Sequence, residues 1–265
     1  MDYMNNGQLF LEDVVQPNYS QNLLVIQANE LVRSQQDTLT LIEAKIIRLA
    51  IAQILKNDTD FRTYEIDILS LAKLLRVESG NIYRDMDRIT TDLMRKVIHI
   101  RRNAGGRGQN YLKLHWVDTV EYENGILTFK LSEELRPYLL GLQELFSMYE
   151  YQEVIELPTT NSIRLFELLT SYQNMPYRGI HNKEYNRVSI EDGEVVFTVD
   201  YLKDFFNCRD LYANNNGNFM IKVIRNSVNQ INKNTIMRVT YRTQNDEHSR
   251  RRIKYVIFKI GEIGS

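Results

Sequence analysis

The sequence predicts an α+β protein built from two tandem winged-helix domains, each a helix-turn-helix core followed by a β-hairpin wing. Two observations carry this. The order helix, strand, helix, helix, strand, strand occurs twice along the chain, and both copies place an amphipathic helix directly before an arginine-rich hairpin. The 265 residues, 43% of them apolar, suffice for two packed cores, and 4 Pro and 12 Gly leave little room for long linkers. The expected division is a flexible N-terminal segment over 1–21, a first domain with an acidic helical bridge over 22–157, and a second domain over 158–265.

In the first copy, Thr40-Leu-Ile-Glu43 is a capping box ahead of apolar residues at helical spacing, which predicts a helix from Leu41 to about Lys56. A strand is expected over Phe61 to Ile66, then a short helix over Ile68 to Leu75. A longer helix, about Asn81 to Val97, follows. Ile82, Met86, Ile89, Leu93 and Val97 fall on one stripe of it, with Arg84, Arg88, Thr91 and Arg95 opposite. Strands over Ile98 to Arg102 and Tyr111 to Trp116 flank a Gly-rich tip, Asn103 to Asn110, and form the expected wing. A further pair, Thr119 to Glu123 and Ile126 to Leu131, flanks an Asn-Gly turn. Ser132 to about Leu157 is acidic and aliphatic and is expected to be a helical bridge.

The second copy begins with a helix over Ile163 to Tyr172 and a polar insert, Gln173 to Gly193. A strand over Val195 to Val199, a short helix over Asp200 to Phe206 and a turn-rich connection come next. The helix over Asn218 to Asn234 has Met220, Val223, Ile224, Val228 and Ile231 on its apolar face. Lys222, Arg225, Asn226, Asn229 and Lys233 form its polar face. Strands over Ile236 to Arg242 and Ile253 to Ile260 close the second wing, whose connection carries Arg250, Arg251 and Arg252.

Charge follows the same division. The chain as a whole carries −1, but residues 61–120 carry +4 and residues 221–265 carry +7, while 121–160 carry −6. Two local basic fields on a near-neutral chain suit binding to a polyanion at two places. An α-helix fits the major groove of B-DNA, where Arg pairs with guanine and Asn with adenine through two hydrogen bonds each. Hairpin arginines contact phosphates or enter a minor groove; here these are Arg101, Arg102 and Arg107 in the first hairpin and Arg250, Arg251 and Arg252 in the second. The run Asn214-Asn-Asn-Gly-Asn218 reads equally as a helix cap or as a set of phosphate donors.

No enzyme is expected. His99, His115, His181 and His248 lack metal-ligand spacing, and the single cysteine, Cys208, excludes an internal disulfide framework and reads as a packed side chain. The Gly105-Gly-Arg-Gly108 tip lacks the spacing and closing Lys-Ser/Thr of a phosphate loop, and no His-hydrophobe-His nicking motif occurs. Trp116 is expected in the core. No metal, cofactor, signal peptide or membrane span is expected, and the single cysteine fits a reducing cytoplasm.

Four segments in order, Asn22 to Asn29, Thr128 to Leu140, Ser162 to Tyr172 and Val228 to Lys233, resemble the initiator replication proteins of iteron-containing theta-replicating plasmids. The resemblance runs from about residue 20 to 260. It implies monomers that bind tandem direct repeats (iterons) at the origin, help open an adjacent A+T-rich segment, and recruit the host initiator and replicative helicase. It also implies dimers that repress their own gene. By position, the Asn218–Lys233 helix is the chief reader through Asn218, Lys222, Arg225, Asn226 and Asn229, with Arg250, Arg251 and Arg252 on phosphates. The Asn81–Lys96 helix is the second reader through Asn81, Arg84 and Arg88. A heptad series Leu24, Leu31, Thr38, Lys45 fails after two positions, so a homodimer is expected to use first-domain strands and not a zipper. Two other readings stand beside this one: a dimeric winged-helix repressor without a replication role, and a scaffold whose winged helices dock proteins.

Overall fold

The computed structural model describes residues 23–75, 79–102, 110–173, 188, 191, 193–246 and 249–262. The N-terminal segment 1–21, the Gly-rich tip with Arg107 and nearly all of the polar insert lie outside the described residues.

The first module opens with β1 (Leu24–Ala28), α1 (Asn29–Arg33), β2 (Gln35–Gln36) and α2 (Leu41–Ala52). The Thr40–Glu43 capping box forms in both directions: Thr40 Oγ1 accepts from the Glu43 amide, and Glu43 Oε2 accepts from the Thr40 amide at 2.9 Å. Next come β3 (Thr63–Asp67), α3 (Ile68–Leu75), α4 (Ser79–Arg95), β4 (Val97–Arg102), β5 (Asn110–His115), β6 (Val117–Glu123) and β7 (Ile126–Leu131). The stripe Ile82, Met86, Ile89 and Leu93 seats α4 on the core, and Trp116 is fully buried. A short 3₁₀ turn, Glu133–Leu135, leads to α5 (Arg136–Leu139), β8 (Phe146–Glu150) and α6 (Tyr151–Glu156).

The later part of the chain comprises α7 (Thr160–Gln173) and then a second module of β9 (Glu194–Thr198), α8 (Val199–Phe205), a long helix α9, β10 (Met237–Asp246) and β11 (Ser249–Glu262). Three consecutive stretches make up α9: Asn216–Phe219, Met220–Arg225 and Asn226–Asn234. The middle one is a π turn, with hydrogen bonds reaching five residues instead of four. One continuous apolar core joins both modules, and α7 packs on α9 from one side and on α1 and β8 from the other.

Strand pairing corrects two expectations. In the second module β9 pairs with β11 and β11 with β10, and the first module has the same order in β3, β7 and β6. The hairpin in the wing position of the first module is therefore β6–β7, closed at Asn124 and Gly125 with φ of 51° and 84°. A Cβ on Gly125 would also come within 3.2 Å of the Tyr83 hydroxyl. The arginine-rich β4–β5 hairpin belongs instead to a separate sheet with β2. Chain order alone puts the wing at β4–β5, because that hairpin follows α4 directly. Only the partner of β3 decides the matter, and partners are not visible in a linear pattern.

The second correction concerns the bridge. It is not purely helical, because β8 lies inside it and pairs with β1 from Leu24↔Glu150 to Ala28↔Phe146. The inward positions of this pair include Gln27, Ser147 and Tyr149, while Phe146 and Met148 face outward. Alternation is present with its polarity inverted, and this hides the strand from a search for apolar residues at every second position.

Candidate nucleic-acid interface

The side chains along α9 divide cleanly. Phe219, Met220, Val223, Ile224, Ser227, Val228 and Ile231 are buried, whereas Asn218, Lys222, Arg225, Asn226, Asn229 and Lys233 are exposed. The helix carries no acidic residue from 216 to 234. Its solvent face therefore offers three cationic groups, Lys222, Arg225 and Lys233, among amides that both donate and accept hydrogen bonds. All five residues expected to read bases in this helix share that face.

The Asn-rich run resolves into named roles. Asn215 caps the helix, its Oδ1 accepting from the Asn218 amide at 2.9 Å. Asn216 Nδ2 donates to the Ile253 carbonyl of β11 at 2.9 Å, while its Oδ1 accepts from Lys203 Nζ at 2.6 Å. Lys203, buried on α8, also donates to the Tyr212 carbonyl at 2.6 Å. At the other end of α9, Asn232 exchanges two hydrogen bonds with the Val239 backbone of β10, at 2.7 and 2.8 Å. The helix is thus fastened to one wing strand near its start and to the other near its end. Sequence reading missed Lys203 and Asn232, and it singled out Asn216 only within a run that reads equally as a helix cap or as phosphate donors. The first looks like a surface cation, and the asparagines look like their exposed neighbours.

The wing of the second module continues this surface. Arg252 is exposed on β11, one residue before the carbonyl that holds Asn216, so it stands level with the first turn of α9. Arg250 and Arg251 lie on the same strand, with side chains outside the described residues. Arg242 on β10 is engaged elsewhere. It grips Glu194 with two bonds of 3.0 and 2.8 Å, and these bonds hold the Glu194 carboxyl below its usual range.

The first module offers a different surface. Asn81, Arg84 and Arg88 are exposed on α4 as expected. The helix carries three arginines and three aspartates, however. Arg84 lies 3.6 Å from Asp85, and Arg88 lies 3.4 Å from Asp85 and 4.0 Å from Asp92. Arg101 on β4 is 74% exposed and reaches 4.0 Å from Asp204 on α8, so it borders the groove between the modules. Arg102 ends β4, its side chain outside the described residues, and Arg107 is outside them altogether. The five α9 residues are brought together with Arg252. The α4 set and Arg101 sit on the other module.

Among the described residues no three His, Cys, Asp or Glu side chains gather to hold a metal ion, and no helix is long and apolar enough to cross a membrane. Cys208 is half-buried, and burial pushes its thiol up to about 11. A thiol so seldom ionised is a poor nucleophile.

Two helix-turn-helix cores, each closed by a hairpin that pairs back onto the strand after its first helix, define a double winged-helix protein. The chain belongs to the initiator replication protein family: residues 24–170 match the family's first winged-helix model (Initiator Replication protein, WH1), and residues 198–260 match its second (Initiator Rep protein, WH2). The fold is similar to that of the Pi initiator protein, crystallised in complex with iteron DNA. That chain is 17% identical, with a TM-score of 0.65 over 93% of this chain and 100% of the other. The WH1 domain of a replication protein isolated from a multiple sclerosis patient is 20% identical and covers 38% of this chain and 79% of its own, with a TM-score of 0.30.

Proposed function

We propose that this chain is a plasmid replication initiator that binds tandem direct repeats at an origin, helps open it, and recruits the host initiator and replicative helicase. One observation carries the reading: in a member of the initiator family, α9 presents Asn218, Lys222, Arg225, Asn226 and Asn229 on a face free of carboxylates, and that helix is tied to a basic wing. Such a face suits the major groove, where Arg and Asn each discriminate a base. Arg250, Arg251 and Arg252 are assigned to backbone phosphates, which position the helix without reading sequence.

The first module is assigned a supporting contact through Asn81, Arg84 and Arg88, with Arg101, Arg102 and Arg107 along the β4–β5 hairpin. The boundary between the modules is placed near residue 157, so that α7 serves as the first helix of the second. A homodimer formed through first-module strands would bind an inverted repeat and repress the chain's own gene. The working compartment is a bacterial cytoplasm, and the chemistry is binding without catalysis.

The test is fluorescence anisotropy of the purified chain on duplexes from the DNA flanking its gene, repeat-containing and scrambled, across a salt series. The expected result is roughly 1000-fold or greater preference for the direct repeats, with affinity falling steeply as salt rises. Equal, weak binding to both duplexes would reject the reading. Selective binding to a lone palindrome, with no direct repeats nearby, would favour a repressor.

A further inference from the structure

Ile221 is 45% exposed on α9, beside Lys222 and between Asn218 and Arg225 in sequence. It is the single large apolar side chain exposed on that helix. An uninterrupted α-helix would set it at the edge of the buried stripe. Seven residues make nearly two α-turns, so Ile221 would lie only about 20° from Val228 around the axis, and Val228 is buried. The π turn over Met220–Arg225 changes the count. Burial along α9 comes in pairs every fourth residue: Phe219 and Met220, Val223 and Ile224, Ser227 and Val228. That repeat is longer than the 3.6 residues of an α-helix, and it releases Ile221 from the core stripe to stand with the polar residues. A π turn is a rare departure that recurs at functional sites.

We infer that Ile221 is a specificity-determining residue that reads thymine, its side chain packing against the C5-methyl group that only thymine presents in the major groove. The inference rests on the reading of α9 as the base-contacting helix. It adds a kind of contact that the polar residues cannot make. Lys222, Arg225 and the asparagines recognise hydrogen-bonding edges, whereas a methyl group is recognised by an apolar surface that excludes water from it. Ile221 would thus fix a T·A pair within the repeat at the position its neighbours flank.

The test replaces thymines one at a time by deoxyuridine in the repeat duplex. This deletes the methyl and leaves the hydrogen-bonding edge intact. Binding of the wild-type full-length chain is then measured by anisotropy. One position is expected to weaken about fourfold, the equivalent of ~0.8 kcal/mol for one buried carbon. In Ile221→Ala the thymine and uracil duplexes should bind alike at that position, and Ile221→Val should keep most of the difference. The scan on the wild-type chain needs no variant to fold. Wild-type binding indifferent to every uracil would overturn the inference, as would an uracil penalty unchanged in Ile221→Ala. If the wild-type chain shows no preference for repeats over scrambled duplex, the reading of α9 itself falls, and this inference with it.

Discussion

Arg48 on α2 and Glu167 on α7 are joined by two hydrogen bonds, of 2.9 Å from Nε and 2.8 Å from an Nη, with both side chains shut away from water. Glu167 also accepts from the Tyr149 hydroxyl on β8 and, at 3.1 Å, from Gln27 on β1. Four elements therefore converge on one carboxylate. Removing one partner of such a pair leaves a buried charge uncompensated, which costs about 3–5 kcal/mol. Glu167→Ala is expected to lose that much in urea unfolding, and a double change of Arg48 and Glu167 to methionine should recover much of it. A loss below about 1 kcal/mol in the single variant would show that water reaches the pair.

The same carboxylate predicts an acid response. Burial opposes its charge, but the Arg48 guanidinium, with further help from Arg164 and the Tyr149 hydroxyl, holds its pKa below the ordinary value. A carboxyl depressed in the folded state contributes stability that is present above its unfolded pKa, about 4.3 for Glu, and lost as pH falls toward the folded value. Urea midpoints should hold between pH 7 and 5 and then fall below about pH 4. Glu167→Gln, less stable at pH 7, should show a shallower acid decline. Parallel declines in the two proteins would assign the acid response to other groups.

Arg225 and Arg252 should separate reading from positioning. Arg225→Ala is expected to cost about 1–3 kcal/mol on the repeat and relax preference at one base position. Arg252→Ala should weaken repeat and scrambled duplexes alike and lower the salt slope by about one. A loss confined to the repeat in Arg252→Ala would make it a reader.

The aspartates on α4 give the first module its own test. Asp85 lies against both Arg84 and Arg88. Asp85→Asn frees Arg84, leaves Arg88 only its 4.0 Å contact with Asp92, and removes a charge that repels phosphate, so affinity for any duplex should rise several-fold and the salt dependence steepen. Unchanged binding would mean that α4 does not approach DNA.

The fold was largely legible because its repeated elements obey simple periods. The stripe on α4, the capping box at Thr40 and the Asn124-Gly125 turn each declare themselves within a few residues. What stayed hidden depends on partners distant in the chain. The pairing of β3 with β7 moved the first wing, and the inverted alternation of Phe146 to Glu150 concealed β8. Candidate readers such as Arg225 and Asn229 were visible as a polar stripe. Ile221 was not, because a 3.6-residue period assigns it to the margin of the core, and only the π turn brings it out.

The two fastenings of α9, Asn216 to β11 and Asn232 to β10, make helix and wing behave as a caliper with fixed jaws. Such a tool measures before it reads. On the proposed reading of α9, a duplex whose groove is too wide or too narrow at the wing would not seat the helix, however well its bases match. The protein would then reject a correct sequence held in the wrong shape, and the flanks of a repeat would matter even where no side chain touches them.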